Sequence, residues 1–179
     1  MCFVCPSWLS FILYNPVRKL LTDRDDILNE SGITASSVVL EIGAGNGFLT
    51  EMIVRRARRV IAVELQEGMV KKLRKRIRTG PPGLQIINGD ISLVIQDENI
   101  ADVCLLYYSF HEVANKLPAI DNIGRMLKKG GLLAIYEPSV EVGKKAMETT
   151  ISMFENAGFV PELTRHGIFT RFARLRKNV

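Results

Sequence analysis

Short runs that are apolar at almost every position alternate along the chain with longer stretches whose apolar residues return every three or four positions. The first pattern suits a strand covered on both faces, the second a helix with one buried side. SSVVLEIG predicts a first strand ended by a glycine turn, and GFLTEMIVRRARR a helix behind it, with Leu49 and Ile53 in step. RVIAVEL is the second strand, QEGMVKKLRKRIR a basic amphipathic helix, and GPPG at 80–83 its breaker. LQIINGD and ADVCLLYYS predict the third and fourth strands. A helix ending at RMLKK, with KKGG as its stop signal, leads to the fifth strand, LLAIYEP, closed by Pro138. Lys144 to Ala157 is predicted helical, with Met147, Ile151 and Phe154 on one face. GFVPELTRHGIFTRFARLR predicts two strands around a His166-Gly167 turn.

Strands buried on both faces and separated by helices imply a parallel sheet, whereas two strands joined by a tight turn must run antiparallel. The expected fold is α/β, a doubly wound, mostly parallel seven-stranded sheet with an antiparallel C-terminal strand. Without repeats or a linker, residues 1–179 read as one domain.

The opening MCFVCPSWLSFILYNP is apolar for roughly 14 residues, too short to span a bilayer. It lacks the basic start and small-residue cleavage site of a signal peptide. Trp8, Phe11 and Tyr14 share one helical face. Residues 1–30 are therefore expected to form a helical segment that packs on the domain, closes over a site as a lid, or lies on a membrane surface, with Arg18 and Lys19 behind it.

A net charge of +5 is modest for a dedicated nucleic-acid binder. Cys2 and Cys5 form a lone C-x-x-C, Cys104 sits in an apolar run, and the only histidines are His111 and His166. No metal site or disulfide framework is expected, and a cytoplasmic location is.

In a doubly wound sheet the ligand sits beyond the carboxyl ends of the strands, where strand order reverses. The turn EIGAGNG marks that place. Its glycines, Gly43, Gly45 and Gly47, depart from the dinucleotide spacing, because the third comes one residue early. Glu41 ahead of them would repel a pyrophosphate but suits a cation. Glu64 closes the second strand twenty-one residues after Gly43, where a carboxylate accepts both ribose hydroxyls. Asp90 closes the third, within reach of an adenine amino group. A nucleoside with positive charge at its far end and no diphosphate is S-adenosylmethionine.

EIGAGNG, VIAVEL, INGD, ADVCLLYYSFHE and LKKGGLLAIYEP occur in this order at ordinary spacing. Together they resemble the class I S-adenosylmethionine-dependent methyltransferases, from about Val38 to Pro138. CPSWLSFILYNPVRKLL is similar to the start of small uncharacterised methyltransferases of bacteria and archaea. The resemblance implies a Rossmann-like methyltransferase fold and S-adenosylmethionine as cofactor, with S-adenosylhomocysteine as product. It implies that Gly43, Ala44, Gly45 and Gly47 approach the methionine part and that Glu41 holds its ammonium. Glu64 would bind the ribose diol, Leu65 pack on adenine, and Asp90 and the Ile91 amide contact the ring. Tyr107 and Tyr108 would lie beside the reacting methyl.

Methyl transfer is a displacement at an already activated carbon, so positioning and a dry pocket supply much of it. A base is needed only for an acceptor that must lose a proton. His111, after the fourth strand, is the candidate, with Glu112 as its possible orienter and Tyr108, Glu137 and Tyr14 as further pocket residues. His166 is expected at the surface. The Asn/Asp-Pro-Pro-aromatic motif of amino-methylating enzymes is missing, as is the Pro-Cys nucleophile of cytosine-C5 enzymes. The leading expectation is transfer to a small-molecule or lipid-precursor acceptor. Docking of RNA or protein on KKLRKRIR and RFARLRKN is the alternative. A non-enzymatic binder, an aminopropyl-transferring relative and a nicotinamide enzyme stand behind these.

Overall fold

The computed structural model describes residues 23–77, 82–94 and 96–178. The expectations for Cys2, Cys5, Trp8, Phe11, Tyr14, Arg18 and Lys19, and for Gly80 and Pro81, lie outside them. The elements in chain order are α1 (Arg24–Glu30), β1 (Val38–Ile42), α2 (Thr50–Arg56), β2 (Arg59–Glu64), α3 (Glu67–Arg76) and β3 (Leu84–Asn88). There follow β4 (Ala101–Tyr107), a 3-10 turn at Phe110–Glu112, α4 (Lys116–Met126), β5 (Leu127–Pro138), α5 (Lys144–Glu155), β6 (Phe159–His166) and β7 (Thr170–Lys177).

The seven strands form one sheet in the order β3-β2-β1-β4-β5-β7-β6. The pairs from β3 to β5 are parallel, and β7 lies antiparallel between β5 and β6. Every residue of β1 is buried, because alternate side chains enter two cores. Val38, Leu40 and Ile42 join Ile120, Ile123, Met147 and Phe154 of α4 and α5 on one face. Val39 joins Leu28, Ile53 and Leu73 of α1, α2 and α3 on the other. Cys104 is a buried free thiol in the middle of β4.

Within the span expected to be a lid, residues 24–30 pack into the core through Ile27 and Leu28. Arg24 anchors them to α2 through Glu51 and the Phe48 carbonyl.

The end of α4 corrects the sequence reading. The helix stops at Met126, and LKKGG, expected to finish it, is already the start of β5. Leu127 pairs with Ala101 before the register shifts and Val103 meets Leu132. Gly130, at φ +78°, and Gly131, packed against the Asp102 carbonyl, make that irregularity possible. The glycine pair thus bends a strand rather than capping a helix. At the same end of the sheet Asp102 accepts from the Val38 amide (2.7 Å) and from Lys128 Nζ (2.6 Å), tying together the starts of β1, β4 and β5.

Candidate active site

A cavity of 540 Å³ opens over the carboxyl ends of β1, β2 and β4, where the strand order reverses between β1 and β4. Glu41, Gly43, Ala44, Gly45, Glu64, Leu65, Asp90, Ile91, Tyr107, Tyr108 and His111 all line it. Of the cofactor and catalytic candidates, only Gly47 lies off its wall. Its left-handed backbone instead lets the loop pack on Leu73 of α3, whose Cδ1 would stand 2.6 Å from an added Cβ.

The glycine loop is built by two contacts. Ser109 Oγ, beyond β4, donates to the Ile42 carbonyl at 2.9 Å and brings the two loops into van der Waals contact. Gly43 is required there: it adopts φ +71°, and a Cβ would stand 2.4 Å from Ser109 Cβ. On the other side Glu64 accepts from the Gly45 amide (2.8 Å, Oε2) and from the Gln66 amide (2.8 Å, Oε1). Sequence reasoning assigned Glu64 to a ribose and missed this role in shaping the loop. The two roles are compatible, since each carboxylate oxygen keeps a second lone pair. Burial raises the Glu64 pKa, and the backbone amides oppose that rise.

Glu41 is the most unusual group of the site. It is buried, and its Oε2 has no hydrogen-bond partner. Burial pushes its pKa up to about 8, Glu64 adds repulsion, and neighbouring Thr50 offsets only part of this. The Thr50 hydroxyl, itself unbonded, sits near the carboxylate without closing a hydrogen bond of normal geometry. A buried carboxyl with a vacant oxygen facing a cavity is poised for a cationic donor.

Leu65, 53% exposed at the rim, offers an apolar face to a flat ring. Asp90 turns its own loop by accepting from the Ser92 amide at 2.8 Å. These residues and the glycine loop match the groups of S-adenosylmethionine in kind: cation acceptor, diol acceptor, apolar platform.

At the far end Tyr107 and Tyr108 stack with ring centroids 4.3 Å apart. Tyr108 adopts φ +58°, costly for an aromatic residue. Its amide donates to the Tyr136 carbonyl at 2.8 Å, and its hydroxyl meets Thr170 Oγ1 at 2.6 Å. Next comes His111, held at three points. Its amide donates to Glu137 Oε1 at 3.0 Å, its Nδ1 contacts Glu137 Oε2, and its Nε2 lies 2.9 Å from Glu141 Oε2. Burial lowers its pKa, but the Glu137 hydrogen bond and the charges of Glu137, Glu141 and Glu112 outweigh it, leaving a net rise. Glu112, expected to orient the imidazole, contributes only charge. The ring is held by buried Glu137 and solvent-exposed Glu141. Glu141 lay outside the sequence-derived candidates because the fold, not the spacing, brings the loop after β5 to His111. His166 is exposed and does not line the cavity.

The family profile described as a methyltransferase domain matches residues 40–135 of the chain. An uncharacterised methyltransferase of Geobacillus sp. (strain WCH70) is 30% identical over 79% of this chain and 66% of its own length. A ribosomal RNA small subunit methyltransferase of Arabidopsis thaliana is 42% identical over 45% of this chain and 22% of its own length. The chain therefore spans less than two thirds of either curated relative. A solved S-adenosylmethionine-dependent methyltransferase from Aquifex aeolicus superposes with a TM-score of 0.86 at 20% identity, over 97% of this chain and 100% of that one.

Proposed function

The chain belongs to the methyltransferase-domain family and carries an S-adenosylmethionine-dependent methyltransferase domain, and we propose that it passes the donor's methyl group to a small-molecule or lipid-precursor acceptor that is neutral or cationic at its reacting end. One observation carries this reading. Five acidic side chains line the cavity, those of Glu41, Glu64, Asp90, Glu112 and Glu141, of which buried Glu41 keeps its proton near neutrality until a cation meets it, and no Lys or Arg is among its described wall residues. A phosphate approaching the methyl would meet carboxylates in a partly desolvated site, where like-charge repulsion is strongest. Much of the chain's positive charge lies elsewhere, as on α3, where Lys71, Lys72, Arg74 and Lys75 are exposed, while half-buried Arg76 donates from behind the cavity wall to the Asn46 carbonyl (2.6 Å) and to Asn46 Oδ1 (3.0 Å).

The geometry supports the following roles. Glu41 takes the donor's ammonium, Glu64 its ribose diol, Asp90 and the Ile91 amide its adenine, and Leu65 covers the ring. Gly43, Ala44 and Gly45 let the loop backbone lie against the methionine part. Tyr107 and Tyr108 wall the space around the methyl and keep water from it. His111 is the base for an acceptor that carries a proton. Glu137 holds Nδ1, which leaves Nε2 as the acceptor-facing atom. Glu141, on an exposed loop, yields Nε2 when the acceptor arrives. As the acceptor's lone pair forms its bond to the methyl carbon, the carbon–sulfur bond breaks and the sulfonium becomes a neutral thioether. The acceptor's proton passes to Nε2.

The second reading, RNA as acceptor, draws support from the ribosomal RNA methyltransferase relative. The two separate in one experiment. Full-length protein is incubated with methyl-labelled S-adenosylmethionine and cell extract, and lipid, small-molecule, RNA and protein fractions are counted. Label in the lipid or small-molecule fraction, lost in His111→Ala, is expected. Label concentrated in RNA would overturn the acceptor reading.

A further inference from the structure

Two loops at the cavity mouth are fastened to each other. Ser139, between β5 and α5, donates its amide to the Phe169 carbonyl at 3.0 Å and its hydroxyl to the Ile168 carbonyl, in the β6–β7 turn. The result is a fixed tip carrying Val140, Ile168 and Phe169, which are 88%, 85% and 80% exposed. The tip is continuous with the site, since Pro138 and Glu141 on either side of Ser139 and Val140 line the cavity.

Two features of this tip run against local preference. The β6–β7 turn, where Gly, Asn, Asp or Ser would be ordinary, places an isoleucine and a phenylalanine side by side in solvent. Immediately beyond the other loop, α5 begins Lys144-Lys145 with no acid in its first turn, so its positive dipole end carries positive charge. Lys144 has only a 3.9 Å pairing with Glu148. Two neighbouring departures of this kind, neither repaired by packing, mark a surface kept for contact.

We propose that this tip docks the protein on an anionic lipid surface, with Val140, Ile168 and Phe169 entering the interface and Lys144 and Lys145 facing the headgroups. Apolar tips backed by lysines are the chemistry that binds there. A small convex projection suits a fluid interface better than a rigid protein surface, which would need a matching pocket. Docking would set the cavity mouth, with Pro138 and Glu141, against the lipid, so that the acceptor enters from that phase. This last step rests on the proposed acceptor class and narrows it to a lipid-borne molecule.

The test is sedimentation of the full chain with vesicles of phosphatidylcholine alone and of phosphatidylcholine mixed with phosphatidylglycerol. Binding to the mixed vesicles is expected, weakened roughly tenfold by the Ile168→Ser/Phe169→Ser double variant and similarly by Lys144→Gln/Lys145→Gln. S-adenosylhomocysteine affinity should be unchanged in both variants, since none of the four residues lines the cavity. Absence of vesicle binding, or equal binding by parent and variants, would overturn the proposal. So would a parent that sediments as a dimer and a serine variant that sediments as a monomer, because a second copy would then cover the tip. Vesicle binding with label in RNA would sink the acceptor reading and leave the docking surface standing. Label in a water-soluble acceptor without vesicle binding would do the reverse.

Discussion

At the scale of single residues the site runs on misplaced protons. Glu41, with a folded pKa near 8 against about 4.5 unfolded, holds a proton in the folded state that the unfolded chain sheds between those values. Stability therefore falls as pH rises through that window. Glu41→Gln should raise the apo melting temperature by about 2–4 °C at pH 8, less at pH 5, as read by calorimetry. The same change should weaken S-adenosylhomocysteine roughly tenfold or more, because the ammonium loses its anion. Equal affinity in parent and variant would remove Glu41 from the cofactor. His111 has the opposite chemistry and the same sign. Its pKa is raised above 6.5, so its pairing with Glu137 stabilises fully below that value and is lost as pH climbs through the folded pKa. With only two imidazoles in the chain, NMR titration can follow it directly. Glu137→Gln should lower its midpoint and move the alkaline-side rise of methyl transfer to lower pH. A midpoint that stays put would separate Glu137 from the base.

At the scale of elements, the loop after β1 is set by neighbours outside its own stretch of sequence. Gly43→Ala places a methyl 2.4 Å from Ser109 Cβ at φ +71° and should cost about 2–3 kcal/mol in urea unfolding. Gly45 also has a positive φ, but its added Cβ meets nothing nearer than 3.9 Å. Gly45→Ala should cost only about 1 kcal/mol of stability and act mainly on cofactor affinity. Reversal of that order would mean the loop is not held by Ser109. At the opposite end of the sheet, burial alone would raise Asp102, but Lys128 and the Val38 amide outweigh it and its pKa is lowered. The stability it adds is present above the ordinary value of 3.8 and vanishes as pH falls through the folded pKa. Asp102→Asn should lower stability by about 1 kcal/mol at pH 7, a small effect because the side chain is partly solvated, and make no difference in strong acid.

At the scale of the whole molecule, the charge distribution sets what can approach. The chain carries +5, yet the described cavity wall is acidic. Methylation of a neutral acceptor supplied free of anionic lipid should hold nearly constant between about 50 and 200 mM salt, whereas an enzyme held to RNA by phosphate contacts loses affinity by orders of magnitude over that range. Assays on the labelled acceptor at both salt levels decide this. Among the described residues no helix is long and apolar enough to cross a membrane.

Much of this architecture was legible in the chain because it depends on local pattern. Strands buried on both faces read as apolar runs, helices as a three-to-four periodicity, and the terminal hairpin as two strands about a glycine. That Glu41, Gly43, Glu64 and Asp90 line one cavity was legible too, since a doubly wound sheet delivers the residue after each strand to one edge. What tertiary structure decided was everything that depends on which strands become neighbours. LKKGG carries a helix-stop signal, but pairing of Leu127 with Ala101 turned it into strand. Glu137 and Glu141 became the partners of His111 only because β4 and β5 lie side by side, and Glu64 became the clip of the glycine loop only because β2 lies beside β1. Sequence by itself determined where backbone can be buried and where it must turn. Proton affinities, loop contacts and the exposed tip at the cavity mouth depend on distances between residues far apart in the chain, and only the folded sheet sets those.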